Sequence, residues 1–170
     1  NMKRLLITIL ITLIYISCKE RKENIKDFQK DLINYTQYVN PFIGTSKMGH
    51  VYPGATSPFG MVQLSPQTNF EVMFNKDGIY NSETYEYCAG YQYKDTTIIG
   101  FAHTNFSGTG HSDLGDFLLM PTSGKLSLKP EEYKSNFSHQ TESAQPGYYK
   151  VMLADDNILA ELTTTERVGL

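Results

Sequence analysis

After Tyr38 no part of this chain sustains a 3.6-residue apolar repeat for more than a few turns. Short apolar or alternating runs recur instead, at 61–64, 97–102, 117–120, 148–153 and 158–163, with Gly, Pro, Asn and Asp between them. Successive side chains of a strand face opposite sides, so runs of this length suit strands with one face buried. Pro121-Thr122-Ser123-Gly124 and Asp155-Asp156-Asn157 supply turns, through fixed or left-handed backbone and short polar side chains. Gln145-Pro146-Gly147 introduces the run 148–153, and the turn at 155–157 can return it as a hairpin. The pattern predicts an all-β fold, most simply a β-sandwich.

Composition bounds the function. The 170 residues are 40% hydrophobic and 12% aromatic, enough for a core and for one domain or part of a larger one. Lys plus Arg is 15 and Asp plus Glu is 18, a net charge of −3 without basic runs in the body, which argues against nucleic-acid binding. Two cysteines cannot build a disulfide scaffold.

The N-terminus reads as an address. Asn1 precedes Met2, then come Lys3, Arg4, an apolar run over 5–16, and Ser17-Cys18. A short basic region before roughly a dozen apolar residues is signal-peptide chemistry, and the run falls short of the about 20 residues that span a bilayer. Residues 2–18 are expected to be a lipoprotein-type signal with Cys18 as the lipidated residue, exporting the chain to the periplasm or outer membrane surface on a lipid anchor. Cys88 would then have no intrachain partner and reads as a small buried hydrophobe. Residues 19–37 read as a polar tether or short helix, with Ile25, Phe28, Leu32 and Ile33 on one face. The globular body is expected over 38–170. Its final run, 158–170, stops inside strand-like sequence, so a fragment of something longer is expected.

The densest polar stretch runs from Gly100 to Asp116. Gly108, Gly110 and Gly115 permit close approach of a ligand, while His, Thr, Asn, Ser and Asp offer the mixed donors and acceptors that read sugar hydroxyls. The same residues also suit a long connection that bonds its own backbone. The spacing of His103, His111, Asp113 and Asp116 matches neither a zinc pattern nor an EF-hand. Tyr85, Tyr87, Tyr91 and Tyr93 suit sugar stacking, and at least two of the four suit a sandwich core and its edges. Glu131-Glu132 and Asp155-Asp156 sit in expected loops or turns as solvated pairs without a catalytic role. No nucleophile elbow, phosphate loop or dinucleotide fingerprint is present.

Several of these stretches, in order, resemble glycoside hydrolase family 92: Asn40-Pro41-Phe42-Ile43-Gly44-Thr45, then Tyr52-Pro53-Gly54-Ala55-Thr56-Ser57-Pro58-Phe59-Gly60-Met61-Val62-Gln63-Leu64-Ser65-Pro66. Cys88-Ala89-Gly90-Tyr91, Gly100-Phe101-Ala102-His103-Thr104-Asn105-Phe106-Ser107-Gly108-Thr109-Gly110, Gln145-Pro146-Gly147-Tyr148 and Thr165-Glu166-Arg167-Val168-Gly169 continue the series. The resemblance implies an exported, calcium-dependent, inverting exo-α-mannosidase, with an N-terminal β-sandwich, an (α/α)6 catalytic barrel and a pocket between them. It implies that this chain holds the signal and part of the sandwich, truncated before the barrel. The catalytic carboxylates and most calcium contacts would lie in the barrel, leaving no catalytic or metal residue here. Mannose-containing glycans, with α-1,2 bonds favoured, are the implied substrates. Tyr87, Cys88, His103, Thr104, Asn105, Ser107, Gly108 and Asp113 are the implied sugar-binding wall. The chain departs from the family in having no Trp near Cys88 and His111-Ser112 before Asp113. The alternative reading is a surface-anchored carbohydrate-binding β-sandwich without hydrolytic activity.

Overall fold

The computed structural model describes residues 34–69, 76–111 and 114–170. The expected signal segment, Cys18, Asp113 and the expected tether up to residue 33 lie outside the described residues. The body, Thr36–Leu170, is one compact unit.

Its longest elements are β8, Tyr148–Leu153, and β9, Ile158–Thr163. In β8 Tyr149, Val151 and Leu153 are fully buried while their neighbours are only partly so, the two-residue period written in the sequence. Register sets Tyr149 opposite Leu162 and Val151 opposite Ala160, so both strands send one face inward. The turn between them carries Asn157 in the left-handed region, a conformation that asparagine tolerates. β7, Ser143–Gln145, completes this antiparallel three-stranded sheet.

The facing layer is a four-stranded antiparallel sheet in the order β1-β2-β4-β5. Its strands are β1 Ala55–Thr56, β2 Gln63–Gln67, β4 Gly100–Ala102 and β5 Leu118–Leu119. β3, Thr97–Ile98, pairs separately with β6, Ser135–Asn136. Ala55, Leu64, Ile98, Phe101, Tyr149, Val151 and Leu162 share one core, as expected of a sandwich. Helical structure among the described residues is short: 3-10 turns at Tyr35–Tyr38, Lys47–Gly49 and Ser82–Tyr87, and one α-helical turn, α1, at Pro130–Tyr133.

Three details differ from the sequence pattern. The run 97–102 is two strands in different sheets, divided at Ile99; a Cβ on Gly100 would lie 2.8 Å from Leu118 Cγ, so glycine at the start of β4 lets β5 approach. β2 runs to Gln67 through buried Pro66, which alternation alone does not mark as strand. The adjacent carboxylates are also anchored. Asp155 accepts from the Asn136 backbone and amide, Asp156 from the Ser123 backbone and hydroxyl, and Glu132 from Ser127 and Lys129. The Ser123 bonds hold the Asp156 carboxyl below its usual range.

One carboxylate enters the core. Glu142 accepts hydrogen bonds from the Tyr91 hydroxyl at 3.0 Å and the Tyr149 hydroxyl at 2.6 Å, and pairs with His139 Nδ1 at 2.6 Å. His139 in turn stacks on Tyr93 at 4.1 Å. Of the four tyrosines in the 85–93 stretch, only Tyr91 is fully buried; Tyr93 packs at the edge against Phe42 and His139. Burial and the neighbouring carboxylate push both Tyr91 and Tyr149 well above the ordinary tyrosine value of 10.0.

The sign of the resulting pH dependence follows directly. Folded Tyr91 and Tyr149 hold their protons where unfolded tyrosines release them, so their contribution is complete below about pH 10 and is lost as pH rises above it. Absorbance at 295 nm should show these two tyrosines ionising only together with alkaline unfolding. Glu142→Ala, which strands both hydroxyls, should lower stability to denaturant by about 3 kcal/mol.

Candidate functional site

The polar loop after β4 is held from below by a glycine. At Gly90, φ is +80, and a Cβ there would sit 1.9 Å from Gln67 Oε1. The bare backbone makes room for the Gln67 amide, whose Nε2 donates to Asn105 Oδ1 at 2.6 Å. Asn105 Nδ2 donates onward to the Gln63 carbonyl at 2.9 Å. Asn105 is buried and both ends of its amide are engaged, so it fastens the loop to β2.

A second clamp sets the opposite wall. Buried Gln92 donates to the carbonyls of Lys47 and Glu86, and its own Oε1 accepts from Lys47 N at 2.7 Å. It thereby ties the Lys47–Gly49 turn to the Ser82–Tyr87 turn, whose N-terminus Asn81 caps by accepting from Glu83 N. His50 follows in the left-handed region, uncommon for a non-glycine residue. Its carbonyl accepts from Gly108 N at 2.6 Å, and its ring meets Tyr85 edge to face at 4.9 Å between centroids. Tyr85 in turn covers Gly110, where a Cβ would lie 2.1 Å from the phenol oxygen. His50 is buried, and its Nε2 has no hydrogen-bond partner.

The residues expected from sequence divide accordingly. Gly108 meets the His50–Tyr85 pair, while Asn105 is held on β2 by Gln67 and Gln63. His103 lies at the other end of the loop: its backbone joins Gln63 and Phe117, its Nδ1 is buried without a partner, and its Nε2 is 3.3 Å from where a Gly169 Cβ would stand. Thr104 Oγ1 accepts from Gly115 N at 3.4 Å, and Ser107 is exposed. Tyr87 donates to Asp95 and carries Lys94 over its ring at 5.5 Å, and half-buried Cys88 caps the same turn. That edge meets the loop through Tyr85 and Gly90 instead. Tyr85 belongs to the tyrosine stretch expected to stack on sugars, whereas His50 and Gln67 are the residues sequence reasoning did not single out. The signal for them is weak, since polar contacts across 38 residues, as between Gln67 and Asn105, leave no periodic trace.

No three His, Cys, Asp or Glu side chains among the described residues come close enough to share a cation. A separate cavity of about 310 Å³, lined by Ser123, Lys125, Glu131, Tyr133 and Asp156 among others, lies at the α1 end of the body.

The body is an antiparallel two-layer β-domain bearing a glycine-rich polar loop. The profile of the glycosyl hydrolase family 92 N-terminal domain matches residues 38–170, and the chain belongs to that family. A family GH92 α-mannosidase from Bacteroides thetaiotaomicron, solved with mannoimidazole, is 43% identical, with a TM-score of 0.67 over 79% of this chain and 17% of its own. An inverting GH92 mannosidase from the same organism is 27% identical, with a TM-score of 0.58 over 79% of this chain and 17% of its own. An uncharacterized secreted glycosidase from Arthroderma benhamiae is 30% identical over 141 residues, 79% of this chain and 16% of its own. The chain thus spans about one-sixth of the length of these relatives.

The Gln67–Asn105 link gives a direct test. Asn105→Ala should cost about 2 kcal/mol by leaving the Gln67 amide and the Gln63 carbonyl without their partner. Hydrogen exchange at the Gly108 amide should accelerate in that variant; unchanged protection would mean the loop is held by other contacts.

Proposed function

We propose that this chain supplies the N-terminal β-sandwich of an exported α-mannosidase that removes terminal mannose, α-1,2-linked in preference, from glycans with inversion. The observation that carries the reading is the union of the family match over 38–170 with a glycine-rich loop seated on His50 and Tyr85. The solved relatives named as α-mannosidases or as an inverting mannosidase support the reaction class.

In this reading the chain contributes binding and positioning. His103, Thr104, Ser107, Gly108 and Asp113 face hydroxyls of the sugar, with Tyr87 and Cys88 at the rim. Asn105 acts indirectly, by holding that loop on β2. Hydroxyl recognition by side chains already fixed through backbone bonds avoids paying the ordering entropy at binding. Inversion needs an acid and a base on opposite sides of the scissile bond with room for water. In this reading no such pair is assigned to the residues of this chain; the acid, the base and most of the calcium ligands are assigned to a C-terminal catalytic domain. The signal segment and Cys18 place the protein on a membrane surface outside the cytoplasm, where a secreted relative is consistent with export.

The test is to incubate the full-length protein with α-1,2-mannobiose and follow the anomeric protons by NMR. β-Mannose should appear first, with none released by the 170-residue chain alone. Binding without hydrolysis by the full-length protein would favour a surface-anchored carbohydrate-binding domain, and α-mannose as first product would exclude inversion.

A further inference from the structure

The cavity of about 310 Å³ at the α1 end takes no residue from the loop after β4. Its volume stands at the lower end of the ~300–1,000 Å³ of small-molecule sites, a size that suits one sugar ring. Three segments enclose it: the loop after β5, the α1 turn, and the turn joining β8 to β9. Hydrogen bonds brace these segments against one another. Ser123 donates to Asp156 Oδ1 through its backbone at 2.7 Å and its hydroxyl at 2.8 Å, across 33 residues of chain. Ser127 Oγ donates to Glu132 Oε2 at 2.6 Å, and Lys129 Nζ donates to the other oxygen at 3.0 Å. Asp155 accepts from the Asn136 backbone at 3.0 Å, and Ala154 N donates to the Asn136 carbonyl at 2.8 Å, which fixes the β8–β9 turn to β6.

What this cavity offers a ligand is mixed in sign. Glu131, Glu132, Asp155 and Asp156 bring four carboxylates, and Lys125 and Lys134 bring two ammonium groups. An anion such as phosphate would meet an excess of carboxylates. A divalent cation would meet the ammonium groups, and oxygens that already accept from Ser123, Ser127, Lys129 and Asn136. A neutral polyhydroxylated ring fits both signs, because each hydroxyl donates to a carboxylate and accepts from an ammonium or another hydroxyl. Acceptor capacity remains for it: an ionised carboxylate has about four lone-pair sites, and Asp156 spends only those of one oxygen on Ser123. The side chains of Lys125 and Glu131 form no hydrogen bond with another described residue, so a donor and an acceptor stand ready on the lining. Tyr133 adds an aromatic ring against which the apolar face of a sugar can lie.

We propose that this cavity binds one neutral sugar ring, with Lys125 and Glu131 reaching its hydroxyls and the Ser123–Asp156 and Ser127–Glu132 bonds framing it. The choice of a mannose-type hexopyranoside within that class rests on reading the chain as part of a glycan-hydrolysing enzyme. Walls braced before the ligand arrives leave little to be ordered on binding. A glycan branch held here adds a second point of attachment, which raises the local concentration of the remaining branches at the protein.

The test is a titration of the 170-residue chain, whose body has its own core, with methyl α-D-mannopyranoside, followed by backbone amide NMR. Calcium chloride and L-lysine, a cation and a zwitterion, are titrated alongside. The sugar should shift the amides of Ser123, Tyr133 and Asp156 saturably, with a dissociation constant on the order of millimolar. Lys125→Ala and Glu131→Gln should each weaken that response at least about fivefold without lowering the melting temperature, since neither side chain braces the walls. Sugar-induced shifts absent from the cavity or confined to the loop after β4 would overturn the proposal, as would a tighter response there to calcium or L-lysine. Unchanged affinity in both variants would overturn it equally, and the wild-type titration decides alone if either variant melts lower. Mannose release by the full-length protein is scored separately: its absence would sink the mannosidase reading, while the cavity stands or falls by the amide shifts.

Discussion

The candidate site depends on one bridge, the Gln67 amide donating to Asn105, with Asn105 donating to the Gln63 carbonyl. Through it a surface loop is secured to a strand whose own position is set by the core. Buried amide pairs of this kind act chiefly through the cost of breaking them, because each partner left alone in the interior keeps its desolvation penalty. The bridge exists because residue 90 has no side chain: any Cβ would occupy the place of the Gln67 head group. One glycine thus governs a loop that follows it by more than a dozen residues. Its conformational freedom matters less here than the space it leaves.

The two clamps divide the labour. Gln92 fixes the His50 wall against the Ser82–Tyr87 turn, and Asn105 fixes the facing loop against β2; they meet where Gly108 donates to His50. Two walls fixed independently and joined by one backbone bond hold their polar groups in place before any ligand arrives, which lowers the entropic cost of binding. Unpartnered nitrogens stand on His103 at the start of this loop and on His50, which abuts it at Gly108.

Sequence reading recovered what depends on local chemistry. The β8–β9 hairpin carries its own register signal, since apolar residues alternate on both sides of an Asp-Asp-Asn turn. The division of 97–102 between two sheets was not legible, because the apolar character is continuous while β3 pairs with β6 and β4 with β2 and β5, all distant in sequence. Glu142 was equally hidden: nothing near it in the chain reveals that Tyr91, 51 residues earlier, will donate to it. For the site, ordered motifs pointed to the loop after β4, and composition alone could not divide it into residues that hold and residues that face out. Asn105 and Ser107 are both small polar residues two positions apart, and only the long-range partners of Asn105 distinguish them.

The central claim is that the loop after β4, held by Asn105 and abutting His50, forms part of a mannose-binding wall. A crystal structure of the full-length protein with a mannose-mimicking inhibitor tests it most directly. The account predicts inhibitor hydroxyls within hydrogen-bond distance of side chains or amides between His103 and Asp113, with the Gln67–Asn105 bridge unchanged. An inhibitor bound with no contact to that loop, or an Asn105 amide turned away from Gln67 to reach the sugar, would contradict it.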